Sequence, residues 1–250
     1  MRVSDSMEKK IMVEQLLKKG ILVSPEELER MNETNNKKNI TSEEYVKELL
    51  EKHKTLEREI LRKTEPTSIN KIGFTGASIV GVVTEKTENG FVLQDATNEV
   101  NVISSSEAEK GNLIGVKGFM RNGFFVSDEI LWPDIPLQRK ANNLPKTMFA
   151  ERRAAGDFVS PGTKETHYME KGKLSILFFH GGIDEETGVR ILKSRMIPGI
   201  IPFLITKIPD FFWILGSKNW FRTYKGVAII STDSDSYAIY ENGNVLFKKY

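Results

Sequence analysis

The 250 residues carry 36 lysines and arginines against 34 aspartates and glutamates, with an apolar fraction of 39%, enough to bury one large core or two small ones. Cysteine is absent, which excludes disulfide staples and thiolate metal sites and makes an intracellular, cytoplasmic location the simplest expectation. The net charge of +2 hides an asymmetry: residues 1–65 hold 14 basic and 14 acidic groups, 66–136 hold 5 and 9, and 137–250 hold 17 and 11, so any phosphate contact is expected in the last third.

Residues 1–20 are charged throughout, unlike a secretory signal. Met7, Ile11, Gln15, Leu16 and Leu17 form a helical stripe ending at Gly20, a residue suited to the position just past a helix. Ser24-Pro25-Glu26-Glu27 combines an N-cap, a first-turn proline and a glutamate three residues after the cap, and predicts a second, short helix. After a polar loop from Asn32 to Asn39, Thr41-Ser42-Glu43-Glu44 repeats the pattern. Val46, Leu49, Leu50, His53, Leu56 and Ile60 then follow at helical spacing, so a third helix is predicted to about Arg62. His53 lies on that apolar stripe with no partner ligand spaced to it, and a packing role is expected.

From Ile72 the period changes to that of strands. Residues 78–84, 91–95, 98–103, 113–120 and 124–131 read as five short strands, with turns at Glu88-Asn89-Gly90 and Asn122-Gly123. Gly81 and Gly118 are available for strong bends, and the set suits a small closed barrel of the OB type. The barrel segment is acidic, and Phe91, Phe119 and Phe125 can all be core, so a protein partner is favoured over DNA for it.

Residues 133–169 show little periodicity and read as a long surface connection or a poorly formed part of the last domain. Beyond them, Leu174 to Phe179 reads as a buried strand and Asp184 to Arg195 as a helix. Strands are expected at 226–231, 236–240 and 245–248, with a hairpin at Asn242-Gly243. The apolar stretch from Ile197 to Leu215 is broken by three prolines, Lys207 and Asp210, and reads as buried strands and turns rather than a membrane span. Three domains follow: a helical region over 1–65, a barrel over 66–136 and an α/β domain over 137–250.

Phe178-Phe179-His180-Gly181-Gly182 places an imidazole at the end of a buried strand, where α/β domains hold their ligands; a hydrogen-bonded structural histidine is the more ordinary reading. Arg152-Arg153, near Lys146, Arg139 and Lys140, and Trp220-Phe221-Arg222 could contact nucleic acid by charge and stacking. A solvated linker and buried aromatics are the alternative.

Several short motifs occur in a telling order. They are Leu131-Trp132-Pro133-Asp134-Ile135-Pro136 after the barrel, His180-Gly181-Gly182, Ile191-Leu192-Lys193-Ser194-Arg195 leading to Ile208-Pro209-Asp210-Phe211-Phe212, and Tyr224-Lys225-Gly226-Val227. In this order they resemble the small subunit of the archaeal D-family DNA polymerase. The resemblance implies an OB-type barrel followed by a calcineurin-like phosphoesterase domain with a two-metal nuclease site. It also implies that this chain, a multidomain α+β protein, carries a shortened phosphoesterase remnant, because the family's metal-binding blocks are eroded. The Asp-x-His block is absent, the Gly-Asn-His-Asp block survives as Gly162-Thr163-Lys164-Glu165, and the Gly-His-x-His block as Gly216-Ser217-Lys218-Asn219. Of the metal-binding positions only His180 matches, and one donor cannot hold two metals.

The expectation is therefore a non-catalytic scaffold without cofactor, docking a DNA polymerase catalytic subunit or another replication protein, with Trp132, Pro133 and Asp134 as candidate partner contacts. Direct DNA contacts would come from Lys146, Arg152, Arg153 and Arg222, and no membrane association is expected. One alternative is a single-stranded-DNA-binding protein using the basic last third. Another is a residual metal-dependent phosphoesterase or 3'-5' exonuclease using His180 with Asp157, Glu165, Asp184 or Asp210.

Overall fold

The computed structural model describes residues 42–137, 144–150, 158–159, 166–198 and 203–250. The helices predicted at Met7 to Gly20 and after Ser24 lie outside these. The described chain is mainly β, with two α-helices and a closed five-stranded barrel. It divides into two compact units, residues 1–134 with 194–206 and residues 135–193 with 207–250. This differs from the division at 65 and 136 on two counts. The described helix belongs with the barrel, and 194–206 leaves the second unit for the first.

In the first unit, helix α1 (Ser42–Leu61) leads through a single 3-10 turn (Ile69–Lys71) to strands β1 (Ala77–Thr87), β2 (Gly90–Gln94), β3 (Glu99–Ile103), β4 (Leu113–Arg121) and β5 (Phe124–Leu131). All five strands fall where alternation and turn residues predict them. Their order, β1-β2-β3-β5-β4 and back to β1, with β3 and β5 parallel and the other pairs antiparallel, is compatible with an OB-like barrel.

Closing so few strands forces sharp curvature, and the two expected glycines sit where neighbouring backbones approach closely. A Cβ at Gly81 would stand 2.3 Å from the Gln94 carbonyl oxygen, and one at Gly118 2.0 Å from that of Val126. Only a residue without Cβ lets these backbones meet.

Ile79, Val83, Phe91, Leu93, Val102, Ile114, Val116 and Phe125 fill the barrel. One end is closed by the 3-10 turn, held by Asp95. Its carboxylate accepts from the Ile69 amide at 2.8 Å, from the Thr97 amide and hydroxyl, each at 2.6 Å, and from the Asn98 amide at 2.9 Å. Burial alone would raise this carboxyl's pKa, but those four bonds to the charged form win, and it lies below the ordinary aspartate value.

The apolar stripe of α1 lies on the outside of the barrel. Val46, Leu49, Leu56 and Ile60 meet Val82, Leu113 and Leu131, and Met196 and Leu204 of the two-stranded pair β10 (Met196–Ile197) and β11 (Phe203–Leu204) complete the cluster. Gly115 makes the approach possible, since a Cβ there would be 2.9 Å from Ile60 Cγ2. His53 is buried on the helix, in keeping with a packing role.

The second unit is a sandwich of two sheets. One has the order β13 (Trp220–Tyr224), β14 (Val227–Thr232), β12 (Phe211–Leu215), β9 (Leu174–His180), β8 (His167–Lys171). The other has the order β16 (Asn244–Lys249), β15 (Ser236–Glu241), β6 (Thr147–Ala150), β7 (Phe158–Val159). Strands β9, β12 and β14 are parallel and in register. Facing residues of the two sheets, among them Phe149, Phe178, Phe211, Trp213, Ala238 and Tyr240, form one aromatic-rich core, with ring centroids 5.0 Å apart for Phe149 and Phe211 and for Phe211 and Tyr240.

Helix α2 (Glu185–Ser194) crosses the other face of the five-stranded sheet at Gly188, whose Cβ position lies 3.0 Å from the Trp220 ring and 3.5 Å from Ile229. The expectation of a long surface connection or a poorly formed segment over 133–169 is corrected here, because β6 and β7 fall inside it and β8 begins in it. The readings at 174–179, 184–195, 226–231, 236–240 and 245–248 match β9, α2, β14, β15 and β16.

Candidate functional site

Among the parallel strands β9, β12 and β14, the residues are buried on both faces, and β12 is buried at all five positions. Their carboxyl ends open into loops that lie side by side. His180 ends β9 and pairs in register with Leu215 of β12. The Gly181 amide donates to the Leu215 carbonyl at 3.0 Å, and the Gly216 amide to the Thr232 carbonyl at 2.8 Å. Gly182 lies close to Ser217, whose Oγ is 3.3 Å from the glycine's Cβ position. The fold thus gathers His180, Gly216, Ser217, Lys218 and Asn219 at one edge, where open α/β sheets bind ligands. Positions 162–165 lie outside the described residues.

Side-chain hydrogen bonds of Asn219 and Ser231 hold this edge together. Asn219 Nδ2 donates to Asp233 Oδ2 at 3.2 Å and to Ser236 Oγ at 2.9 Å, while its Oδ1 accepts the Asp233 amide at 2.9 Å. One amide side chain clamps the β14–β15 turn. Ser231 Oγ donates to the Lys218 carbonyl at 2.8 Å, fixing the loop from beneath, and His180 itself is exposed.

A pair of divalent cations does not fit these residues. At the two positions where the resemblance implies histidine ligands stand Ser217, whose neutral hydroxyl is a weak donor to a cation, and Asn219, whose amide is already committed to Asp233 and Ser236. Among the described residues no group of three or more histidines and carboxylates is placed to hold a metal ion.

Two carboxylates considered as partners of His180 are engaged with other groups. Asp184 accepts the Thr187 amide at 2.7 Å and begins α2. Hydrogen bonds from Thr187 hold its carboxyl below the usual range, as for an N-cap. Asp210 lies before the amino end of β12, where its carboxylate accepts the Ser175 amide at 2.8 Å and the Ser175 hydroxyl at 3.2 Å. The distance from there to His180 is five residues of strand, roughly 16 Å. Asp157 and Glu165 lie outside the described residues.

Two of the candidate nucleic-acid contacts are described. Lys146 pairs with Glu241 at 3.0 Å on the surface, which neutralises it locally, and Arg222 is exposed on the edge strand β13. Its aromatic neighbours are anchors rather than stacking platforms. Trp220 Nε1 donates to the Ile183 carbonyl at 3.1 Å, and Phe221 packs against the sandwich core, 6.2 Å from the Tyr240 ring. Arg152 and Arg153 lie outside the described residues.

Of the candidate partner contacts, Trp132 and Pro133 are buried within the first unit, and Trp132, 7% exposed, belongs to the barrel core. Their carbonyls accept from Lys63 Nζ, at 2.6 and 3.4 Å, so the motif ties the end of β5 back to the chain after α1. Asp134 is half-buried, at φ 44°.

No protein-family model matches the chain, and no curated protein shows significant similarity to it. No described helix is long and apolar enough to cross a membrane.

Proposed function

We propose that this chain is a non-catalytic accessory subunit that serves as a scaffold in a DNA-replication complex, docking a polymerase catalytic subunit or a factor bound to it. Its barrel would be of the OB type and its second unit a shortened calcineurin-like phosphoesterase. The observation that carries the non-catalytic part is Asn219. The position the resemblance assigns to a histidine ligand holds an amide whose donor and acceptor are both spent on Asp233 and Ser236. What supports the replication part is the order of the short motifs along the sequence, together with a barrel order compatible with the OB type.

Two measurements test the two parts separately. Purification of the tagged full chain from its native cells, followed by mass spectrometry, is expected to recover a replicative polymerase catalytic subunit; its consistent absence would remove the replication role. In a manganese-supplemented nuclease assay, the parent and His180→Ala are expected to be equally inactive. Cleavage by the parent that disappears in the variant would overturn the non-catalytic part.

A further inference from the structure

The wall of the barrel formed by β2, β3, β5 and the end of β4 differs from the wall beneath α1. Along these strands the inward residues Phe91, Leu93, Val100, Val102, Met120 and Phe125 alternate with outward ones. Register places the outward residues in two neighbouring rows. Gly90 pairs with Ile103, Ile103 with Val126 and Val126 with Phe119. In the adjoining row, Val92 pairs with Asn101 and Phe124 with Arg121, with Phe124 one residue before the Phe125–Val102 pair. Ile103 and Phe124 are 40% and 44% exposed, and Val92, Phe119 and Val126 are half-buried. The result is a mainly apolar surface across four strands, open to solvent, with the Asn101 amide between Val92 and Phe124 and the Arg121 guanidinium at the end of that row.

Its surroundings are acidic. Glu88 stands in the turn before Gly90, Glu99 precedes Asn101 on the same side of β3, and Asp128 follows Val126; all three are exposed. Of the nearby cations, Lys117 and Lys86 are engaged with Glu129 at 2.8 Å and Glu109 at 3.1 Å, and Arg121 is exposed beside Phe124. The segment as a whole has 9 acidic and 5 basic residues. A phosphate backbone would be repelled here, whereas a cationic apolar segment would be attracted. Because the barrel is closed, a partner cannot add a strand to it and must engage through side chains. Four strands span about 14 Å at ~4.8 Å spacing, close to the roughly 10–12 Å diameter of one helix. The opposite wall already receives such a helix, α1.

We propose that this wall is a docking site for an amphipathic helix of a partner protein, with an apolar stripe flanked by lysine or arginine. The proposal deepens the scaffold reading, on which it rests only for the existence of a protein partner; the test below uses no replication protein, so the two can fail independently.

The test uses the isotope-labelled full chain, titrated with a synthetic amphipathic peptide of leucine and lysine, about 18 residues or five turns long. The glutamate counterpart of that peptide and oligothymidylate serve as comparison probes. The expected result is saturable binding of the lysine peptide with amide shifts centred on Val92, Asn101, Ile103 and Phe124. Phe124→Ser combined with Ile103→Ser should weaken it at least about tenfold while the spectrum remains that of a folded chain, and Glu99→Lys should weaken it as well. Four outcomes would overturn the proposal: no binding of the lysine peptide, binding unaffected by these substitutions, oligothymidylate shifting the same residues, or the wild type proving a dimer through this wall.

Discussion

On one wall of the barrel Gly115 leaves room for Ile60, and Val82, Leu113 and Leu131 vanish beneath a helix. On the other wall Ile103 and Phe124 stand in solvent. The two walls share strands β4 and β5 and both carry apolar residues, yet one is covered by a helix of the same chain and the other is exposed. Apolar character alone does not mark a residue as core; the nearby element able to cover it decides. For α1 that element is built in and fixed by a glycine, and for the other wall we assign the role to a partner.

The contrast can be broken by substitution, and the largest effect belongs to the covered wall. Ile60 is fully buried, and Ile60→Ala should cost about 3 kcal/mol in urea unfolding, by lost transfer energy and the cavity left behind. Next comes Gly115→Val, whose Cβ would sit 2.9 Å from Ile60 Cγ2 and 3.2 Å from Leu131 Cβ. A loss of about 2 kcal/mol is expected from overpacking. If either change left the unfolding midpoint unmoved, the helix would not be an energetic part of the barrel.

Asp95 probes the end of the barrel between the two walls. Asp95→Ala should cost about 1.5 kcal/mol at neutral pH, because the carboxylate organises the Ile69, Thr97 and Asn98 amides. Its folded pKa is lowered, so its contribution is complete above the ordinary aspartate range and lost as pH falls through the lowered value. The gap between parent and variant should therefore shrink in acid. A gap that widened would contradict the sign.

A smaller effect is expected at the strand-end loops of the second unit. Asn219→Ala should lower stability by about 1 kcal/mol, through loss of the clamp on Asp233 and Ser236. The smallest belongs to the open wall. Phe124→Ser should change stability by less than about 0.5 kcal/mol, although it removes an aromatic ring from the same barrel. A loss comparable to that of Ile60→Ala would mean that the wall is covered within the chain itself.

Legibility followed the same physics. The barrel strands were readable because one face of each is wet for much of its length, so apolar and polar residues alternate, and because Asn89-Gly90 and Asn122-Gly123 mark the turns. The third helix was readable from its capping pattern and stripe. Strand β12 was harder, since Phe211 to Leu215 is buried on both faces and carries no alternation to tell it from any other apolar run. Strand β6 was missed because Thr147 to Ala150 is four residues long and its burial comes from strands far away in sequence. At the candidate site, His180 and positions 216–219 were found from their motifs, but the commitments of Asn219 and the remote placement of Asp210 were not readable. Both depend on which strand ends meet.

By itself the sequence determined the third helix, the barrel strands and the charge of each segment, since capping, alternation and turn chemistry act over a few residues. It also determined which ligand types stand at positions 216–219. Only the tertiary structure decided that Trp132 is core rather than surface, that Asp210 and His180 lie at opposite ends of their strands, and that one apolar wall of the barrel is covered and the other open. Those outcomes depend on contacts between segments tens of residues apart, and a short window of sequence holds no record of which neighbour will arrive.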